Sequence, residues 1–104
     1  MVLNINQTIQ KAIKLKENGF YEEAINLLKV GNTNFPNDLN ILVLLSQCYI
    51  LTDKIEEAIF YHIESKKINP NNAAVAWNEV RINLKNKNSV QALTNARNTN
   101  KIFP

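Results

Sequence analysis

An all-helical chain built from repeated helix hairpins is the fold class the sequence predicts, on three observations. The phrase YEEAI at residues 21–25 returns as IEEAI at 55–59, and a weaker copy, SVQAL at 89–93, follows after another 34 residues. Pro36, Pro70 and Pro104 keep the same spacing, as do Ala24, Ala58 and Ala92. Apolar residues recur three and four apart, glycine occurs twice in 104 residues, and no stretch alternates as a strand would.

Six helices are expected, at 5–17, 21–34, 39–51, 55–68, 73–85 and 89–101, each about 20 Å long at 1.5 Å per residue. The first carries Thr8 and Lys11 where later units are apolar, a polarity that costs little in a helix with no preceding unit to pack against. Asn18 and Gly19 make the turn into the second, which opens on Glu22 and Glu23, acids that complement the positive end of a helix. Pro36 ends it, because proline cannot donate the next helical bond, and Asn37 and Asp38 follow as candidate N-caps. The third helix holds the longest apolar run, Ile41 to Leu45. Asp53 and Glu56 then have capping-box spacing ahead of the fourth. Pro70 closes that helix, with Asn71 and Asn72 as caps for the fifth. Counting the fifth strictly by 34 sends Glu79 and Asn83 to interior places, so a register slid by one residue is preferred, which buries Trp77, Val80 and Leu84 and sets Arg81 where a small residue is expected. The sixth helix is weakly apolar, with Val90, Leu93 and Ala96.

A 34-residue helix–turn–helix period is the mark of the tetratricopeptide repeat, whose pattern is W-x2-L-G-x2-Y, then A-x3-F, then P. The second unit resembles it closely in Leu42, Leu45, Ser46, Tyr49, Ala58, His62, Ser65 and Pro70; the first gives Thr8, Lys11, Ala12, Leu15, Ala24, Leu28, Gly31 and Pro36. Ala24 and Ala58, with Ala12 and Ser46 opposite, keep side chains short where helix axes approach to about 8–10 Å. The resemblance implies a right-handed α-solenoid forming one domain, with repeats at 5–38 and 39–72 and a degenerate third at 73–104. Because the sequence stops at the proline that leads into another unit, it is expected to be a piece of a longer protein.

The chemistry available is sparse. H-E-x-x-H, C-x-x-C, G-x-G-x-x-G and phosphate-loop motifs are absent, and two glycines are too few for a nucleotide cradle, so the sequence predicts neither an enzyme nor a bound cofactor or metal. His62 falls where the family carries an aromatic and reads as a packed imidazole rather than a general base. Cys48 reads as a buried, inert thiol. Glu22 with Glu23, and Glu56 with Glu57, are adjacent in helices and point apart, which disfavours a carboxylate dyad. Twelve Lys and Arg against nine Asp and Glu give +3 and a pI near 9.1. Helix-end placement of Lys16, Lys29, Lys66, Lys67, Lys85, Arg97 and Lys101 accounts for much of that balance, and no basic run interleaved with aromatics argues for nucleic acid. No apolar run approaches the roughly 18 residues of a membrane span, and the N-terminus lacks a secretory h-region, so a cytoplasmic location is expected.

In the family the first helices line a concave groove that takes extended peptides or short helices. The resemblance maps that groove to Ile9, Ile13, Lys16, Val43, Gln47, Ile50, Leu51, Asn78, Ile82 and Lys85. Ile9, Ile13 and Leu44 stand where chaperone-binding members carry a carboxylate clamp, which disfavours that ligand. An apolar groove edged by Lys16 and Lys85 suits an amphipathic helix of some acidic character, while packing of Ile50 and Leu51 against a neighbouring helix is an equal alternative. Two functions stay open: a non-catalytic interaction scaffold for a protein or peptide, with self-association a further possibility, or the recruitment or dimerisation arm of a larger bacterial enzyme of glycosyltransferase, methyltransferase or sulfotransferase type.

Overall fold

The computed structural model describes residues 3–86, and these form five α-helices in the order α1 (Ile5–Glu17), α2 (Tyr21–Asn34), α3 (Leu39–Leu51), α4 (Ile55–Ile68) and α5 (Ala73–Lys85), with no strand among the described residues. The expected helix at 89–101, its Val90, Leu93 and Ala96, and Pro104 lie outside the described residues. All five helix spans agree with those the sequence predicts. The 34-residue period is therefore geometric as well as verbal, since α1, α3 and α5 begin and end 34 residues apart, as do α2 and α4.

The caps keep the same step. Asn4, Asp38 and Asn72 are the N-caps of α1, α3 and α5, and each side chain accepts from a backbone N–H of the first turn. Asn4 also completes a capping box with Gln7, which the sequence reading had not singled out. Between α1 and α2, Phe20 N donates to Leu15 O at 2.8 Å and Gly19 N to Lys16 O at 3.0 Å; between α3 and α4, Lys54 N donates to Tyr49 O at 2.9 Å and Asp53 N to Ile50 O at 3.1 Å. Both are Schellman closures, whose middle residue must be left-handed: Gly19 has φ 84° and Asp53 φ 59°. The capping box expected from Asp53 and Glu56 does not form. Lys54 is the N-cap of α4 and makes no side-chain cap, because Asp53 is committed to ending α3.

α3 touches all four other helices, whereas α1 touches α2 and α3, and α5 touches α3 and α4. Its sequence explains this central place, since it carries no charged side chain and buries nine of its 13 residues, from Ile41 to Ile50. The small residues fall at the close approaches. Ala12, Ala24 and Ala58 are buried, and Ser46 Oγ donates to Ala58 O at 2.9 Å, fastening α3 to α4. At Gly31 a Cβ would stand 2.9 Å from Thr8 Cγ2 and 3.3 Å from Ile41 Cδ1, so α2 meets both α1 and α3 there with no room for a methyl group. Tyr49 and Tyr61 stack with centroids 5.7 Å apart across the α3–α4 hairpin.

The register expected for α5 is overturned. Val75, Asn78 and Ile82 are its buried residues, while Trp77, Val80 and Leu84 are 60%, 46% and 59% exposed. Val75, Asn78 and Ile82 lie one 34-residue step after Ile41, Leu44 and Cys48, all buried in α3. The strict period holds, and no extra residue follows Pro70. The slid register avoids Glu79 and Asn83 inside, yet without it Glu79 is only half-buried and Asn83 is exposed; the polar residue in the interior is Asn78, which donates Nδ2 to Val43 O at 3.2 Å.

Candidate functional site

The ten residues picked from the sequence divide by helix. On α1, Ile9, Ile13 and Lys16 are half-buried. On α3, Val43 and Ile50 are buried, Gln47 is half-buried and Leu51 is exposed. On α5, Asn78 and Ile82 are interior, and Lys85 is exposed but paired with Asp53 Oδ1 at 2.8 Å. The α5 members follow from the slid register and each stands one residue beyond the strict 34-residue step. Stepping 34 residues from Val43, Gln47 and Ile50 leads to Trp77, Arg81 and Leu84, and all three are exposed. The signal that finds them is the period itself.

The equivalent positions are thus Ile9, Ile13 and Lys16 on α1, Val43, Gln47 and Ile50 on α3, and Trp77, Arg81 and Leu84 on α5. Residues four and seven apart share a helix face, so each trio forms one strip. The strips differ in exposure for a packing reason: among the described residues α3 is flanked by both α1 and α5, whereas α5 has only α3 beside it among the first helices of the hairpins. Lys16 Nζ donates to Gln47 Oε1 at 2.8 Å and ties α1 to α3 within the strips. That partner is neutral, so the Lys16 charge is not cancelled. Arg81 makes no ion pair among the described residues. None of the nine positions is acidic, and the strips combine apolar surface with two uncompensated cations.

Two other groups were candidates for chemistry. Cys48 is fully buried, and burial pushes its thiol up to about 11, with Lys16 opposing only weakly, so it stays protonated and unreactive near neutral pH. His62 is buried and shares Glu79 Oε1 with Lys66: His62 Nε2 stands at 3.4 Å and Lys66 Nζ at 2.8 Å. Lys66 chiefly, with His62 helping, holds the Glu79 carboxyl below the usual glutamate range, although partial burial opposes the shift. The imidazole is packed, as the sequence predicts, and Glu79, one 34-residue step from Leu45, stands beside it.

Among the described residues no three His, Cys, Asp or Glu side chains gather as metal ligands, and no helix is long and apolar enough to cross a membrane. Comparison of the chain with protein-family models, with curated proteins and with solved structures gave no match.

Proposed function

We propose that the chain is a non-catalytic interaction scaffold of tetratricopeptide-repeat type, a right-handed stack of three hairpins that binds a peptide or amphipathic helix along its first helices. The observation that carries this reading is the exposed strip Trp77–Arg81–Leu84 on α5, which repeats the positions of Val43, Gln47 and Ile50 and of Ile9, Ile13 and Lys16 at 34-residue steps. An exposed tryptophan is costly to leave in water and is the side chain most often found anchoring a partner. Arg81, four residues on, offers a fork that a carboxylate can engage at two points. A helix presenting an apolar stripe beside one or two acids fits both features.

The groove as first mapped moves accordingly. Trp77, Arg81 and Leu84 take the places of Asn78, Ile82 and Lys85, while Ile9, Ile13, Lys16, Gln47 and the exposed Leu51 stay as contacts. Val43 and Ile50 support the floor from inside. The test is selection of binding peptides from a random display library against the 104-residue chain, followed by titration of the recovered peptides. Trp77→Ala is expected to weaken their binding by about 2 kcal/mol, roughly thirtyfold, with helix content unchanged. Peptides that bind the Trp77→Ala and Arg81→Glu variants as tightly as the parent would place the site elsewhere.

A further inference from the structure

The two successive junctions between hairpins are built from opposite chemistries. Where α2 meets α3, the facing residues include Leu28, Leu44 and Leu45, all buried. One 34-residue step later, where α5 meets α3 and α4, the same places hold His62, Asn78 and Glu79, with Asn78 bonded to Val43 O of α3. His62 and Asn78 are 6% and 0% exposed, and His62 Nδ1 and Asn78 Oδ1 are buried with no hydrogen-bond partner among the described residues. A buried polar atom left without a bond keeps its desolvation penalty uncompensated, whereas a leucine in the same place would contribute stability. Val75 and Ile82 are the buried apolar residues of α5. α5 also packs less extensively on α4 than α3 does on α2.

We propose that the junction of α5 with α3 and α4 is a polar seam at which α5 parts from α1–α4 as a unit, while the leucine junction between α2 and α3 stays closed. The polar contacts that tie α5 to the rest of the described residues are Glu79 with Lys66 and His62, Asn78 with Val43 O, and Lys85 with Asp53. Two of these three are exposed ion pairs or involve one, which are individually weak and easily exchanged for water. Local opening of this kind has a free energy below that of global unfolding, and opening along the seam swings Trp77, Arg81 and Leu84 relative to α3. The proposal rests on the junction alone and holds whether or not a peptide binds the strip.

Native-state hydrogen exchange of the 104-residue chain tests it. The amides of Asn78–Ile82 are expected to exchange on the order of tenfold or more faster than their equivalents in Leu44–Cys48. Converting the seam to the chemistry of the first junction, with His62→Leu, Asn78→Leu and Glu79→Leu together, is expected to close most of that gap. Asn78→Leu alone should narrow it in the same direction. Equal protection of the two segments in the parent chain would overturn the proposal. So would a gap that Asn78→Leu and the triple variant leave unchanged, because exchange would then reflect position in the chain rather than the polar junction.

Discussion

Single residues decide the turns and the charged contacts of this molecule. Asp53 occupies a left-handed position that Gly19 fills in the preceding hairpin, and an L-residue with a Cβ is strained there by about 1 kcal/mol. Its ion pair with Lys85 is largely exposed and worth less than that. Relief of strain should win, so Asp53→Gly is expected to stabilise the fold by about 0.5–1 kcal/mol in urea unfolding; a loss of stability would show that the Lys85 contact matters more than backbone strain. Glu79 sets an acid limit. Its carboxyl titrates below the ordinary range in the folded chain, so the unfolded chain binds the proton first as pH falls, and the contribution is complete above about 4.5 and lost on acidification through the lowered value. Because the side chain is partly exposed, the effect should stay under about 1 kcal/mol. The stability difference between the parent and Glu79→Gln, measured by urea midpoint against pH, should be present at pH 7 and vanish in acid.

At the scale of the helix, much was legible in the sequence because caps, acids and prolines are local signals. Asp38 and Asn72 cap α3 and α5 as expected, and Glu22, Glu23, Glu56 and Glu57 fall in first turns. Asn72→Ala removes the acceptor for Ala74 N and Val75 N and should cost about 1 kcal/mol, read from thermal or urea unfolding. The small residues are equally tied to local geometry. Ala58→Leu would force a branched side chain into a fully buried site between α3 and α4 and should cost about 1–3 kcal/mol. What misled the reading of α5 was hydrophobicity. Trp77, Val80 and Leu84 look like core residues and Asn78 does not, yet the bond from Asn78 to Val43 O is made across 35 residues and leaves no mark on composition. The Asp53–Glu56 spacing failed for a similar reason: a backbone closure of α3 claims Asp53 before α4 begins.

Across the whole molecule, the hairpin order and the central place of α3 were readable from one number, the 34-residue step, joined to the all-apolar run at Ile41–Leu45. Which face stays open was not readable, because exposure on α5 depends on its having, among the described residues, one first-helix neighbour where α3 has two. The distinction matters for mutagenesis. Val43 belongs to the interior and a glutamate there would bury a charge, so the proposed partner-binding strip is properly challenged at Trp77, Arg81 and Leu51. Trp77 is also the sole tryptophan of the chain, which makes its environment directly observable. The strict period sets it on the open strip, whereas a register slid by one residue would bury it. The decisive measurement is therefore the intrinsic tryptophan fluorescence of the folded chain with acrylamide quenching. Water-like emission with ready quenching is the result this account predicts; blue-shifted emission shielded from acrylamide would contradict it.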